Sequence, residues 1–449
     1  MIFGRYGTFA GGIDLPDEKH RTLERPIAKV PVEPRRLLVP LAPSGAPAEP
    51  CVEVGEHVTA GEIIGRRSGP RSQNVYAPLA GKVGGFTTAR VADRDEYAES
   101  PAIELVKLSS PRSIAPLSPI FDFRSADPEQ IRRRIHSGGL STCRRRPQPL
   151  PLWIDRAREN RCKTLIANGM ESEPYVTSDH RLLLEHGTEV VRGLAMLATA
   201  IEAGEIILAV DQRRIDDYRE LVGPARLFGI RLIAMTHKYP TGADPMLAKV
   251  LLRREVPLGG TVMDLQAAMI DPAACFAAYR WVVCEKPPLG RVVTVSGEHA
   301  GKWGNYWVPY GMLCEELPEN LEGTHMHGGP MTGLRLEPNV VVGPTTDAIL
   351  SLNAPAPPPP GPCIRCGWCT DHCPARLNVA ALNDLFEMGD VETAWRNGTL
   401  ACVHCGVCTY VCPARLPLAQ RVQELKRAIY VYLRRSKHDA AEQAKEADA

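Results

Sequence analysis

Cys363-Ile-Arg-Cys366-Gly-Trp-Cys369-Thr-Asp-His-Cys373-Pro374 and Cys402-Val-His-Cys405-Gly-Val-Cys408-Thr-Tyr-Val-Cys412-Pro413 repeat one C-x2-C-x2-C-x3-C-P pattern near the C-terminus. Three cysteines two residues apart can turn their sulfurs toward one corner of a metal cluster, while the intervening amides point inward at its sulfides. Each run therefore predicts a tight ligating loop. Pro374 and Pro413 fix the backbone at its end, and Gly367 and Gly406 leave room beside the metal.

The spacing is that of the bacterial two-cluster ferredoxin, in which the fourth cysteine reaches across to the other centre. It assigns Cys363, Cys366, Cys369 and Cys412 to one [4Fe-4S] cluster, and Cys402, Cys405, Cys408 and Cys373 to a second. Zinc would need only two C-x2-C knuckles and gives no reason for a third cysteine at the same interval. Disulfides would suit a short secreted chain, whereas this one has 449 residues and opens Met-Ile-Phe-Gly-Arg, without a signal-like start. The other six cysteines, Cys51, Cys143, Cys162, Cys275, Cys284 and Cys314, read as buried or semi-buried thiols. His372 and His404 are expected beside the clusters or at the surface, since four thiolates already serve each cluster.

At 44% hydrophobic and 23% charged, the chain can bury several cores. Lys plus Arg is 53 against 52 for Asp plus Glu, so no overall field favours nucleic acid or an anionic membrane. No apolar run approaches ~18 residues, which predicts no membrane insertion.

Working outward from the cysteines, residues 30 to 110 hold short apolar runs between glycines and prolines, such as Glu62-Ile63-Ile64-Gly65 and Val75-Tyr76-Ala77-Pro78, and predict a small β-sandwich or barrel. Strands near 163–167, 205–210 and 230–235 alternate with helical patterns over 129–136, 179–203, 214–228 and 264–279, which predicts an α/β domain with a parallel sheet. Residues 291–309 read as a β-rich module, residues 354–362 as a polyproline linker, and the tail from Arg434 as frayed helix or disordered.

The order of these parts resembles the C subunit of the Rnf/Rsx electron-transport complex over nearly the whole chain. The likeness rests on Gly11-Gly12-Ile13-Asp14-Leu15-Pro16, Asn168-Gly169-Met170-Glu171-Ser172-Glu173-Pro174-Tyr175, Lys238-Tyr239-Pro240-Thr241-Gly242, Arg291-Val292-Val293-Thr294-Val295-Ser296-Gly297, Gly328 to Gly333 and the cysteine runs. It implies a multidomain α/β plus β architecture. Residues 1–118 would form a barrel-sandwich domain similar to biotinyl/lipoyl domains, without an attachment lysine in Ser68 to Gln73. Residues 119–286 would form an α/β domain similar to the flavin subunit of respiratory complex I. A β-grasp module over 287–350, a linker over 351–362, a double [4Fe-4S] ferredoxin-type domain over 363–430 and a charged tail over 431–449 would follow.

The resemblance also implies a peripheral subunit on the cytoplasmic face of the bacterial inner membrane. There it would serve an ion-translocating oxidoreductase, with membrane-embedded and iron–sulfur subunits, and ferredoxin or NADH, as partners. Gly138, Gly139, Asn168, Glu171 and Glu173 would line an FMN/NAD(H) site, and Tyr239, Pro240 and Gly242 a turn beside it, with Asp244 where the family has glutamate. Glu171 and Glu173 read equally well as caps of the helix that follows. Relatives cradle FMN on a loop similar to Gly-x-Gly-Gly-Ala-Gly-Phe-Pro-Thr, but here it reads Ser137-Gly138-Gly139-Leu140-Ser141-Thr142-Cys143-Arg144-Arg145-Arg146-Pro147. Leu140 is expected to project into the flavin site. Loss of FMN and NAD(H) is expected over capture of the phosphate by Arg144 to Arg146. What remains is an electron relay through two clusters, either as the redox subunit or as a non-catalytic adaptor.

Overall fold

The computed structural model describes residues 4–5, 7–93, 95–110, 114, 118–144, 147–318, 322–353 and 359–447, without the side chains of 4–5 and 437–447. Arg145, Arg146 and the first half of the proline-rich stretch lie outside them. The chain forms two compact units, a larger one of Met1–Tyr6, Pro16–His237 and Val262–Pro355, and a smaller one of Gly7–Leu15, Lys238–Thr261 and Ala356–Ala449.

In the larger unit, the predicted β-rich N-terminal part is a sandwich. Its four-stranded sheet runs Leu37–Pro40, Glu96–Val106, Gly81–Asp93, His57–Val58, and its three-stranded sheet runs Glu49–Pro50, Ile63–Arg66, Val75–Tyr76. Alternation sends Val58, Ile64, Val75, Val83, Ile103 and Leu105 inward to a shared core. Gly81-Lys82-Val83, expected as one short run, opens a 13-residue strand instead.

The α/β part holds a parallel sheet in the order Gly4–Arg5, Ile230–Met235, Glu205–Asp211, Thr164–Gly169, Ala267–Ile270. Its strands are nearly unbroken apolar runs because helices cover both faces. The expected helix over 179–203 is Ser178–Ile201, and Gly193 lets it cross the helix Pro272–Cys284 closely, since a Cβ there would lie 2.0 Å from the Cys275 carbonyl oxygen.

Two elements differ from expectation. The stretch 264–279 is not one helix: Ala267–Ile270 is a fully paired strand, and Asp271 then caps a new helix by accepting from the Ala274 N–H at 2.7 Å. Residues 214–228 form a 3₁₀ segment, Gln212–Leu221, followed by the short helix Val222–Leu227.

A six-stranded mixed sheet completes the unit in the order Leu334–Arg335, Thr324–His327, Ala348–Leu352, Gly290–Ser296, Gly304–Pro309, Ile27–Lys29. Strands thus come to it from residues 27–29 and from 351–352, stretches that the linear division assigns to the N-terminal domain and the linker.

The smaller unit carries the cysteine runs. Helices Val379–Met388, Val391–Arg396 and Leu418–Ala447 bury Leu382, Ala394, Leu400, Val422, Leu425 and Ile429 around them. Asn378 and Asp390 cap the first two helices by accepting from the Ala381 and Thr393 amides at 3.1 and 2.9 Å. Among the described residues, no helix is long and apolar enough to cross a membrane.

Candidate metal centres and nucleotide cleft

The two cysteine loops fold alike. Gly367 (φ +82°) and Gly406 (φ +76°) each turn the chain into a one-turn helix, Trp368–Asp371 and Val407–Tyr410. Arg365 and His404, and again Arg376 and Arg415, adopt the same left-handed conformation at matching places. The Cys373 and Cys412 carbonyls each accept from an amide three residues on, Arg376 and Arg415, at 3.0 Å. Equal spacing in sequence therefore becomes equal backbone geometry.

The fourth cysteine of each run lies beside the first three of the other. Cys363, Cys366, Cys369 and Cys412 line one pocket with Ala380, Asn383, Leu416 and Leu418. Burial pushes the Cys369 thiol up, and the neighbouring Cys412, Cys366 and Cys363 add to the rise. Burial likewise pushes Cys405 up to about 12, with Cys402 and Cys373 adding to it, while Cys408 is raised by burial and then by Cys402, Cys405 and Cys373. Each set would thus be held as thiolates only with a cation among them. The Leu377 amide donates to Cys373 Sγ at 3.4 Å, the kind of bond that stabilises a ligating sulfur.

Among the described residues, no three His, Cys, Asp or Glu side chains close round a single ion. Four soft donors beside the apolar Ala380, Leu416 and Leu418 fit a cubane. His372 turns its Nδ1 to the Trp368 carbonyl at 2.9 Å, away from ligation. Of the remaining cysteines, Cys162, Cys275, Cys284 and Cys314 are buried and Cys143 half-buried, but Cys51 is exposed, contrary to expectation, because it lies outside the sandwich core.

The predicted flavin residues have other employment. Gly138 and Gly139 face protein: a Cβ on the first would lie 2.3 Å from Trp281 Cδ1, and on the second 2.3 Å from the Asn74 carbonyl oxygen. An anion cradle needs backbone N–H groups aimed at the ligand. Here the Ser137, Gly138 and Thr142 amides bond the Arg134, Ile135 and Gln148 carbonyls, and the Cys143 amide bonds Asp271 Oδ2 at 2.9 Å. Leu140 lines a cleft with Gly139, Ser141, Cys143, Tyr76 and Tyr310. It is 1% exposed in a core with Ile131, Ile135, Leu150 and Ile154, where burial stabilises an aliphatic side chain by about 2 kcal/mol. The Arg144 guanidinium donates to the Asn168 carbonyl, and Asn168 Oδ1 accepts from the Met170 amide at 3.2 Å.

Both acidic residues are likewise engaged. Glu171 takes the capping role: its carboxylate accepts from Ser178 Oγ, the Asp179 amide and the His180 amide at 3.2, 2.8 and 3.3 Å, and Lys19 Nζ donates to its carbonyl at 2.5 Å. Freeing that cap for a ligand would cost about 1–2 kcal/mol. Glu173 does not cap the helix. It clasps the glycine turn at 328–333, accepting from the Met331 amide at 3.0 Å and Thr332 Oγ1 at 2.6 Å.

Sequence reasoning passed over the residues at the C-terminal edge of the sheet, where open α/β folds bind ligands. Asp17 pairs with Arg213 and Arg214, and Asp211 with Arg213 and His237. Burial opposes ionisation of Asp211, but the His237 and Arg213 bonds hold it below the usual carboxylate range. Burial, then Lys19, lowers His180 to about 3, leaving its ring neutral against Tyr218 Oη at 2.7 Å. Scattered charges such as Lys19 and Asp17 carry no motif, so only the folded chain reveals them as one network. The edge is polar but internally paired, and the residues present do not fit an FMN phosphate.

Lys238-Tyr239-Pro240-Thr241, expected beside the nucleotide cleft, folds in the smaller unit with Gly11 and Gly12. Ile13 and Tyr239 exchange backbone hydrogen bonds at 3.0 and 2.9 Å.

Comparison with known proteins follows the same partition. The RnfC barrel sandwich hybrid domain family matches residues 7–105, the Nuo51 FMN-binding domain family residues 149–280, and the 4Fe-4S dicluster domain family residues 362–416. The second match opens beyond the Gly138-Gly139 loop. The C subunit of the ion-translocating oxidoreductase complex of Rhodobacter capsulatus is 32% identical over 428 residues, covering 92% of this chain and 81% of that protein. Its namesake in Pseudomonas aeruginosa is 31% identical over 85% of this chain and 50% of its own length, and that of Haemophilus influenzae 30% over 83% and 59%. This chain thus spans only about half of some relatives it matches. Chains from crystal structures of NAD+-reducing [NiFe]-hydrogenase, air-oxidised and H2-reduced, share 17% and 16% identity. They cover 66% and 70% of this chain and 63% of their own, with TM-scores of 0.44 and 0.46, too slight a likeness to bear on the site.

Proposed function

The chain belongs to the family of C subunits of ion-translocating oxidoreductase complexes, and from that premise we propose that it relays electrons within an Rnf-type complex through two [4Fe-4S] clusters. The observation that carries this reading is the convergence of each loop's first three cysteines with the fourth of the other. When bound, each cubane supplies a site for one electron at a time. The chain's own part is to hold Cys363, Cys366, Cys369 and Cys412 round one and Cys402, Cys405, Cys408 and Cys373 round the other. It also keeps water from Cys369 and Cys405, which are buried.

Its partners in this reading are membrane-embedded and iron–sulfur subunits, with the chain peripheral on the cytoplasmic face and ferredoxin and NAD at the ends of the pathway. The engaged amides of Ser137, Gly138, Thr142 and Cys143, with the engaged Glu171 and Glu173, favour a chain that relays between docked subunits without a flavin of its own. Membrane vesicles from cells lacking the chain should lose ion-coupled electron flow between ferredoxin and NAD. The purified chain should restore it, and a chain with alanine at all eight cysteines should not. Equal restoration by both would make the chain an adaptor and remove the relay.

A further inference from the structure

Among the described residues, three segments far apart in sequence meet on the backbone of one cysteine set. Tyr239, 3% exposed, donates its hydroxyl to the Cys405 carbonyl at 2.7 Å. Lys426, on the last helix, donates from Nζ to the Cys402 carbonyl at 2.8 Å. The Gly12 amide donates to the His372 carbonyl at 2.8 Å, next to Cys373, and Gly11 (φ +72°) lies so close that a Cβ would stand 2.5 Å from the Cys373 carbonyl oxygen. Lys238 Nζ on the Phe9 carbonyl at 2.8 Å, with the two Ile13–Tyr239 bonds, ties these segments to each other.

The first centre lacks this wall. Cys363 and Cys366 occupy the places of Cys402 and Cys405, yet among the described residues their carbonyls receive no such side-chain donor. Arg365, between them, gives its guanidinium to Asp384 at 2.6 Å. Cys366 is exposed where Cys405 is buried. Two loops of equal backbone geometry are thus placed in unequal fields.

We propose that Tyr239 and Lys426 are positioning residues that hold the loop of the Cys402, Cys405, Cys408 and Cys373 centre and raise its reduction potential. The inference rests on the two-cluster reading above. Reduction adds one electron and no proton, so the centre gains a negative charge. A hydroxyl hydrogen and an ammonium aimed at carbonyls of its ligand loop stabilise that charge, the more so out of water. The ammonium has the larger effect, because a charge-assisted hydrogen bond is roughly twice as strong as a neutral one. The segments 11–12 and 238–241, whose sequence suggests a nucleotide cleft, are on this account part of a cluster's surroundings.

The test is an EPR-monitored redox titration of the full chain, purified anaerobically and titrated with dithionite, with iron counted first. Lys426→Met should lower one midpoint by the equivalent of about tenfold in the reduced-to-oxidised ratio, ~59 mV for one electron. Tyr239→Phe should lower the same midpoint by less, Lys426→Arg should keep it near the wild-type value, and the other midpoint should stay put. The shift should persist when Cys412→Ala removes the first centre and vanish when Cys373→Ala removes the second. With about eight iron per chain, unmoved midpoints or equal shifts in both would overturn the inference alone. About four iron in the unmutated chain would instead overturn the two-cluster reading on which it stands.

Discussion

Cys373→Ala is expected to extinguish the EPR signal of the Cys402 centre and leave that of the Cys363 centre, although residue 373 belongs to the latter's own sequence run. Cys373 lies beside Cys405 and Cys408, whereas Cys412 lines the cavity of Cys363, Cys366 and Cys369. A cubane left with three thiolates has one iron without its protein ligand, so bound iron should fall from about eight to about four per chain. Cys412→Ala should give the mirror result. The effect on stability should be smaller than on iron, because both side chains sit at the edge of a core built by Leu382, Leu400, Val422 and Ile429. Loss of the Cys363 signal in Cys373→Ala would show that each run serves its own cluster.

Purified chain incubated with FMN and desalted is expected to retain less than about 0.1 FMN per chain, and to oxidise no NADH with an artificial acceptor. Binding a phosphate on the amides of Ser137, Gly138, Thr142 and Cys143 would require breaking four hydrogen bonds now made inside the protein, each worth about 1 kcal/mol net. It would also require room beside Gly138 and Gly139, whose Cα positions are already in contact with Trp281 and Asn74. A match to the Nuo51 FMN-binding domain family identifies the α/β scaffold and does not free those amides. Stoichiometric FMN, with its visible absorption bands, would refute this and point to a rearranged loop.

The cysteine loops were the most legible part of the chain, because four ligands at fixed short spacing leave the backbone few alternatives. The parallel sheet was nearly as clear, since Leu165-Ile166-Ala167 and Ile206-Ile207-Leu208-Ala209-Val210 are buried on both faces and read as apolar runs. Residues 264–279 misled because Ala267-Ala268-Met269-Ile270 suits a helix as well as a buried strand, and only pairing with Thr164–Ala167 decides it. Glu171 and Glu173 showed that polar residues mattered near the sheet's edge, but whether they face a ligand or their own chain depends on partners at 178–180 and 331–332. The contact of Tyr239 with Cys405 spans 166 residues and has no local signature at all. Local chemistry was readable, and the long-range allocation of hydrogen bonds was not.

The most direct measurement of the central claim is the iron and acid-labile sulfide content of the anaerobically purified chain. Two cross-ligated cubanes predict about eight of each per chain. About four of each, or zinc in place of iron, would contradict the account.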